Sequence, residues 1–227
     1  AMVATEANYA HAVYTNDGDE TFSLDPVGTG DGQGVALGDL DGDGNLEAVI
    51  ATGSGQQNRF RDSDGDGGMA GIDSGSFGAT TTSRDVALGD LDGDGALDAV
   101  FAKNGGNKVY ANDGTAMPFT GGVTQNDLGS ADSQGLALGD VDDDGDLDAM
   151  VANAGDTPGN TVWLNQGGAQ GGTLGTLQDS GQALGSAASR DVLLRDVDGD
   201  GDLDAVFAND GADTVWVNDG SGDFGSA

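Results

Sequence analysis

Residues 86–102 read VALGDLDGDGALDAVFA: a short apolar run, a nine-residue segment with four aspartates, and a second apolar run. The segment recurs as DLDGDGNLE at 39–47, DVDDDGDLD at 140–148 and DVDGDGDLD at 196–204. Its first aspartates fall at 39, 90, 140 and 196, at intervals of 51, 50 and 56 residues. A period of that size marks an array of supersecondary units, a propeller being one form.

The flanks repeat with the loops. VALG (35–38), LALG (136–139) and VLLR (192–195) precede the other copies, and LEAVIA (46–51), LDAMVA (147–152) and LDAVFA (203–208) follow them. Past the acidic second residue these runs are apolar on both alternating faces, the pattern of a strand buried between neighbouring sheets. Polar turns (NGGN at 104–107, NDGAD at 209–213) lead to KVYAND at 108, TVWLNQ at 161 and TVWVND at 214, completing a hairpin. The expected unit is strand, acidic loop, strand, turn, strand and a Gly-rich segment. AVYTNDGDETF at 12–22 matches the third and fourth strands of a unit with no acidic loop before it, and the sequence ends with the same two strands in VWVNDGSGDF.

The reading is all-β, with antiparallel blade-like repeats forming one domain over 1–227: a half unit at 12–34 and full units at 35–85, 86–135, 136–191 and 192–227. Because the two ends duplicate each other, simple ring closure is not predicted, and an open or polymerising array stands beside a propeller.

Composition agrees. Forty-three glycines among 227 residues disfavour helix interiors. A formal charge of −33 with seven Lys and Arg excludes phosphate-rich partners such as nucleic acid, and favours cations. The chain has no cysteine, which excludes disulfides and thiolate sites. No apolar run is long enough to span a bilayer, and the first residues carry no signal-peptide pattern, so an exported protein is expected here in its mature form.

Nineteen of the 40 acidic residues sit in the four loops, a clustering that a merely solvated acidic surface does not require. Numbered D1-x-D3-x-D5-G6-x7-L8-[DE]9, the loop aims oxygens at alternate positions toward one centre, as a calcium ion with six to eight oxygen ligands demands. The expected ligands are Asp39, Asp41, Asp43 and Glu47; Asp90, Asp92, Asp94 and Asp98; Asp140, Asp142, Asp144 and Asp148; and Asp196, Asp198, Asp200 and Asp204. Position 7 is Asn45, Ala96, Asp146 and Asp202. Since alanine has no side-chain oxygen, position 7 is expected to ligate through its carbonyl. Leu at position 8 is expected to turn inward as an anchor. Magnesium does not need four protein carboxylates, and one histidine without cysteine disfavours zinc. A fifth loop, DSDGDGGMAGID at 62–73, fits EF-hand spacing through Asp62, Asp64, Asp66 and Asp73, and offers a further calcium site or a solvated turn.

Through VALGDLDGDGALDAVFA and NDGSGDF (218–224), nearly the whole chain resembles the FG-GAP and VCBS repeats of integrin α-subunit propellers and many bacterial surface proteins. The resemblance implies blade-like sheets with calcium in the loop between the first two strands, held by positions 1, 3, 5, 7 and 9. It departs in number, since family propellers usually carry about seven blades.

Other features read blandly. Asp85 and Asp191 (glycine in the other copies) and the NDG segments are expected as turn residues. Tyr14, Tyr110, Trp163 and Trp216 recur at one strand position, as packing residues rather than sugar platforms. No coherent acid–base pair or nucleophile is present, so no enzyme is expected. The function expected is an extracellular or cell-surface calcium-binding structural protein, self-associating as a homo-oligomer or filament. The competing class is a calcium-dependent adhesin or lectin-like module for glycans or a protein ligand.

Overall fold

The computed structural model describes residues 2–3, 10–16, 22–29, 31–53, 55–62, 73–77, 82–115, 119, 125–155, 159–167 and 170–226, with side chains for 31–53, 55–62, 82–115, 119, 128–155, 159–167 and 170–225. Among these residues there is no α-helix, and no helix long and apolar enough to cross a membrane. All regular structure is β.

Four antiparallel sheets of four strands follow one another along the chain. The first holds β4 (Gly32–Gly38), β5 (Glu47–Thr52), β6 (Asn58–Arg61) and β7 (Asp73–Phe77). The second holds β8 (Ser83–Gly89), β9 (Asp98–Lys103), β10 (Asn107–Tyr110) and β11 (Gln125–Leu128). The third holds β12 (Ser133–Gly139), β13 (Asp148–Asn153), β14 (Asn160–Asn165) and β15 (Leu177–Leu184). The fourth holds β16 (Ser189–Arg195), β17 (Asp204–Asn209), β18 (Thr214–Asn218) and β19 (Phe224–Ser226). A three-stranded sheet of β1 (Met2–Val3), β2 (Ala10–Asn16) and β3 (Phe22–Thr29) precedes them.

Each full sheet is a meander in sequence order, with the acidic loop joining its first two strands. The fourth strands β7, β11 and β15, left by the sequence reading inside Gly-rich segments, are the elements that reading missed; in the last sheet it expected a fourth strand within VWVNDGSGDF, where β19 lies. The strand β15 (LQDSGQAL) shows why: its polar, glycine-interrupted sequence has weak intrinsic strand preference, and pairing with β14 holds it in place.

The first strands β4, β8, β12 and β16 pack side by side in chain order, so the sheets stack face to face. The second strands are sandwiched. In β9, Ala99 and Phe101 join Val49, Ala51 and Phe60 of the preceding sheet, while Val100 and Ala102 join Leu136, Ala149 and Val151 of the following one. Hence β5, β9 and β13 are buried at all six positions. In β17 only one face is covered: Ala205 and Phe207 are buried against Met150 and Ala152, whereas Val206 and Ala208 reach the surface.

Leucine and glycine set the spacing. A Cβ on Gly38 would lie 2.6 Å from Leu97 Cδ1 and 3.0 Å from Leu88 Cδ1; Gly139 stands in the same relation to Leu203 (2.8 Å) and Leu194 (3.0 Å). Position 8 of the loop therefore anchors on the preceding sheet. The exception is Leu46, which is 54% exposed. At the other end of the stack the seat itself is altered, with Arg195 at the glycine position and Leu193 where Ala36, Ala87 and Ala137 stand.

Every pairing of first and second strands has a register shift at one place, between Gly32 and Gly34, Ser83 and Asp85, Ser133 and Gly135, and Ser189 and Asp191. Asp85 and Asp191 sit at this irregularity and not in free turns. The half-buried carboxylate of Asp85 accepts a hydrogen bond from Leu136 N in the next first strand at 3.1 Å, and desolvation raises its pKa.

Candidate metal sites

Each acidic loop is braced by its own backbone. The carboxylate of Asp39 accepts from Gly42 N (2.8 Å) and Gly44 N (3.0 Å), that of Asp41 from Asp43 N (3.2 Å) and that of Asp43 from Asn45 N (2.8 Å). The second loop repeats this set from Asp90, Asp92 and Asp94. Glycine at position 6 is required by the turn, with φ between 91° and 106° in all four copies. At position 4 the third loop replaces glycine by Asp143 at φ 60°, a conformation aspartate tolerates better than most residues.

The bracing gathers carboxylates. One oxygen from each of Asp39, Asp41 and Asp43 lies within 4.8 Å of the others, and likewise from Asp90, Asp92 and Asp94. In the third and fourth loops the corresponding groups are Asp140, Asp142 and Asp148, and Asp196, Asp198 and Asp204. Asp144 and Asp200 fall outside these tight triplets, as do Glu47 and Asp98. Of the fifth loop, Asp62 is half-buried at the end of β6, whereas Asp64, Asp66 and the side chain of Asp73 lie outside the described residues.

Position 9 is different in kind: Glu47, Asp98, Asp148 and Asp204 are at most 1% exposed. Asp98 accepts from Leu91 N in its own loop (2.9 Å) and from Asn112 N past the third strand (2.8 Å). Asp148 does so with Val141 N and Asn165 N, and Asp204 with Val197 N and Asn218 N. Burial outweighs these bonds and pushes the pKa of Asp98 up to about 6 and that of Asp148 up to about 7.

The asparagines of the NDG-like segments are not turn decoration. Asn112 Nδ2 donates to Leu40 O, at position 2 of the preceding loop, at 2.7 Å, and to Leu97 O at 3.2 Å. Asn165 donates likewise to Leu91 O (2.9 Å) and Leu147 O (3.2 Å), and Asn218 to Val141 O (2.7 Å) and Leu203 O (3.2 Å). Sequence reasoning missed them; the signal was an asparagine two residues after each strand aromatic at 110, 163 and 216.

The donor set fits a hard cation. It is made of oxygens, which suit calcium-like ions over soft ones. Several of those oxygens are buried without a hydrogen-bond partner among the described residues: Glu47 Oε1, Asp142 Oδ1, Asp144 Oδ2 and Asp146 Oδ2. Leaving an anionic oxygen buried and unpaired is costly, and a cation supplies the missing partner. The third loop has an additional cover. Gln170, in the segment following β14, donates to Asp142 through Nε2 while its Oε1 is also buried and unpartnered. The first and second loops face a common cleft of about 280 Å³, lined by Asp39, Asp41, Asp94 and Asp113.

Of the recurrent aromatics, Tyr110 and Trp163 are core residues and Trp216 is half-buried against the last core cluster, with its Nε1 buried and without a hydrogen-bond partner among the described residues. Tyr110 is 2% exposed and meets Phe101 edge-on with ring centroids 5.6 Å apart; Trp163 is 9% exposed and donates from Nε1 to Thr161 Oγ1.

No curated protein matches this chain in sequence. Among solved structures it is similar to an Agrocybe aegerita lectin studied for specific recognition of non-reducing terminal N-acetylglucosamine, at 20% identity and a TM-score of 0.56. That similarity covers 96% of this chain and 60% of the lectin, so the chain spans about 60% of the lectin's length. The Vibrio cholerae biofilm matrix protein Bap1 aligns at 19% identity and a TM-score of 0.46, over 84% of this chain and 29% of its own. The model of the FG-GAP-like repeat matches residues 39–101 and 90–151, two overlapping spans that each run from one acidic loop into the second strand of the next sheet. The chain belongs to the FG-GAP-like repeat family.

Proposed function

We propose that this chain is an extracellular calcium-binding structural protein, a single domain over 1–227 whose repeat units are braced by calcium and which assembles with copies of itself into a surface fibre or layer. The observation that carries the calcium reading is the set of buried, unpartnered carboxylate oxygens in loops that already gather three or more carboxylates. When bound, the ion supplies positive charge and coordination. Positions 1, 3 and 5 hold it from the loop and position 9 from the buried edge of the second strand, with the carbonyls of Asn45, Ala96, Asp146 and Asp202 as further oxygens. Binding only the folded loop converts carboxylate repulsion into folding stability.

Self-association rests on where apolar surface remains. Among the described residues, the exposed large hydrophobics are Leu37 and Leu46 at the start of the stack and Leu193, Val197 and Val215 at its end. Val192, Leu193, Val206, Phe207 and Ala208 also line a shallow cavity of about 150 Å³ on the open side of the last sheet. A glycan-binding module is the competing reading, but the lectin likeness bears on fold, and Tyr110 and Trp163 are committed to the core.

The test is calcium-dependent stability and size. A tenfold excess of calcium over Kd contributes about 1.4 kcal/mol per site, so millimolar calcium should raise Tm and chelation should lower it. In the same buffer, light scattering and electron microscopy should show assemblies that Leu193→Lys abolishes. A Tm unmoved by calcium sinks the brace, and monodisperse monomer sinks the assembly.

A further inference from the structure

The geometry points to a relay: Asn112, Asn165 and Asn218 couple neighbouring metal loops, so that the four sites fill cooperatively along the stack. Each asparagine grips two loops at once. Its backbone N–H holds the position-9 carboxylate of its own unit, at 2.8 Å for Asn112 on Asp98, 2.7 Å for Asn165 on Asp148 and 2.9 Å for Asn218 on Asp204. Its side-chain amide reaches back across the sheet interface to a carbonyl flanked by position-1 and position-3 aspartates: Leu40 between Asp39 and Asp41, Leu91 between Asp90 and Asp92, Val141 between Asp140 and Asp142. Asn112 therefore joins loops one and two, Asn165 loops two and three, and Asn218 loops three and four. All three asparagines are at most 2% exposed, so these bonds lie outside the reach of water.

The first full sheet differs from the other three. In the first sheet the position equivalent to Asn112, two residues past the strand aromatic Phe60, is Asp62. Residues 1–38 hold no acidic loop of this pattern for it to reach. Among the four full sheets, the asparagine therefore stands in each sheet that follows an acidic loop and is replaced by Asp62 in the first; in the preceding half unit Asn16 holds the corresponding place after Tyr14.

The inference rests on the calcium reading of the loops. An ion entering one loop fixes its position-2 carbonyl and its position-9 carboxylate, which are the two points the relay holds. The neighbouring loop then forms with part of its ordering already done, and a site that needs less ordering binds more tightly. Charge works the other way, since each bound ion weakens the negative field at the next loop. Salt screens that repulsive contribution over about 8–10 Å but leaves the buried amide bonds intact.

The experiment is a calcium titration of the full chain by calorimetry, at low and at 0.5 M salt, with circular dichroism in saturating calcium as the folding control. Wild type is expected to bind four ions at these loops with a Hill coefficient above 1.5 that rises with salt. In Asn165→Asp, which copies Asp62, the same number of ions should bind while the coefficient falls below the wild-type value as the array splits into two pairs. Four ions bound independently by wild type, or a coefficient unchanged in a folded Asn165→Asp, overturns the relay and leaves the calcium sites standing. A titration with no bound calcium removes the metal reading itself. Should Asn165→Asp fail to fold, the wild-type coefficient and its response to salt decide the matter.

Discussion

Gly135 and Asp191 meet across neighbouring first strands at a distance that admits no side chain on the glycine. A Cβ on Gly135 would lie 2.9 Å from Asp191 Cα, 2.8 Å from its Oδ1 and 3.1 Å from Arg190 O, and Gly34 stands in the same relation to Asp85, 2.7 Å from its Cα. Glycine and aspartate alternate along the four first strands, and both glycines lie against the main chain of the following strand, which leaves no room for a Cβ of their own.

Gly135→Ala is accordingly expected to destabilise the chain by about 1–3 kcal/mol, as overpacking does. Because the clash involves main-chain atoms of Arg190 and Asp191, adding Asp191→Gly should restore little of the loss. Urea denaturation of the single and double variants checks this, and full recovery in the double variant would show that the contact is between side chains alone.

Acidity should act in opposite senses with and without calcium. Asp98 and Asp148 titrate at about 6 and about 7 in the metal-free fold against an ordinary 3.8, so the fold binds protons more tightly than the unfolded chain. Their contribution is fully present below pH 4 and is lost as pH rises through 6 to 7. Metal-free protein should thus show a Tm that falls between pH 4 and pH 8, even in 0.5 M salt, where general repulsion is screened. In millimolar calcium, which needs these carboxylates ionised, Tm should instead rise over the same interval. A scanning calorimetry series at both conditions makes the comparison.

The third loop should bind differently from its fellows. Gln170 and the buried oxygens of Asp142, Asp144 and Asp146 converge there. Gln170→Leu is expected to weaken the third site most and the sites coupled to it less, read as one weakened class in a terbium luminescence titration. Equal weakening at all sites would assign Gln170 a general packing role.

Much of this was legible in the sequence because the signals are local. The D-x-D-x-D-G spacing places carboxylates and their bracing amides within nine residues, and a doubly apolar run such as LDAVFA reads as a strand covered on both faces, which holds for β9 but not for the identical run in β17, covered on one face. The fourth strands were not legible, since QNDL and LQDSGQAL acquire their conformation from pairing with β10 and β14. Nor was the role of the asparagines, whose side-chain acceptors lie 72, 74 and 77 residues back in the chain. Leu46 shows a third limit: it has the sequence of an inward anchor, yet it is exposed, because its seat depends on a glycine-bearing strand that no neighbour supplies among the described residues.

Arg195 gives the stack a direction that duplication of units cannot ignore. The seats at Gly38, Gly89 and Gly139 accept a leucine pair, whereas the fourth position presents a guanidinium stem beside Leu193. A further unit copied onto this end in the same register would collide there, so lengthening the protein by repeat insertion should succeed between existing sheets and fail after β19 unless Arg195→Gly and Leu193→Ala accompany it. The last sheet thus does not accept its own repeat in the register used inside the stack, and a second copy of the chain would meet its apolar surface in a different one.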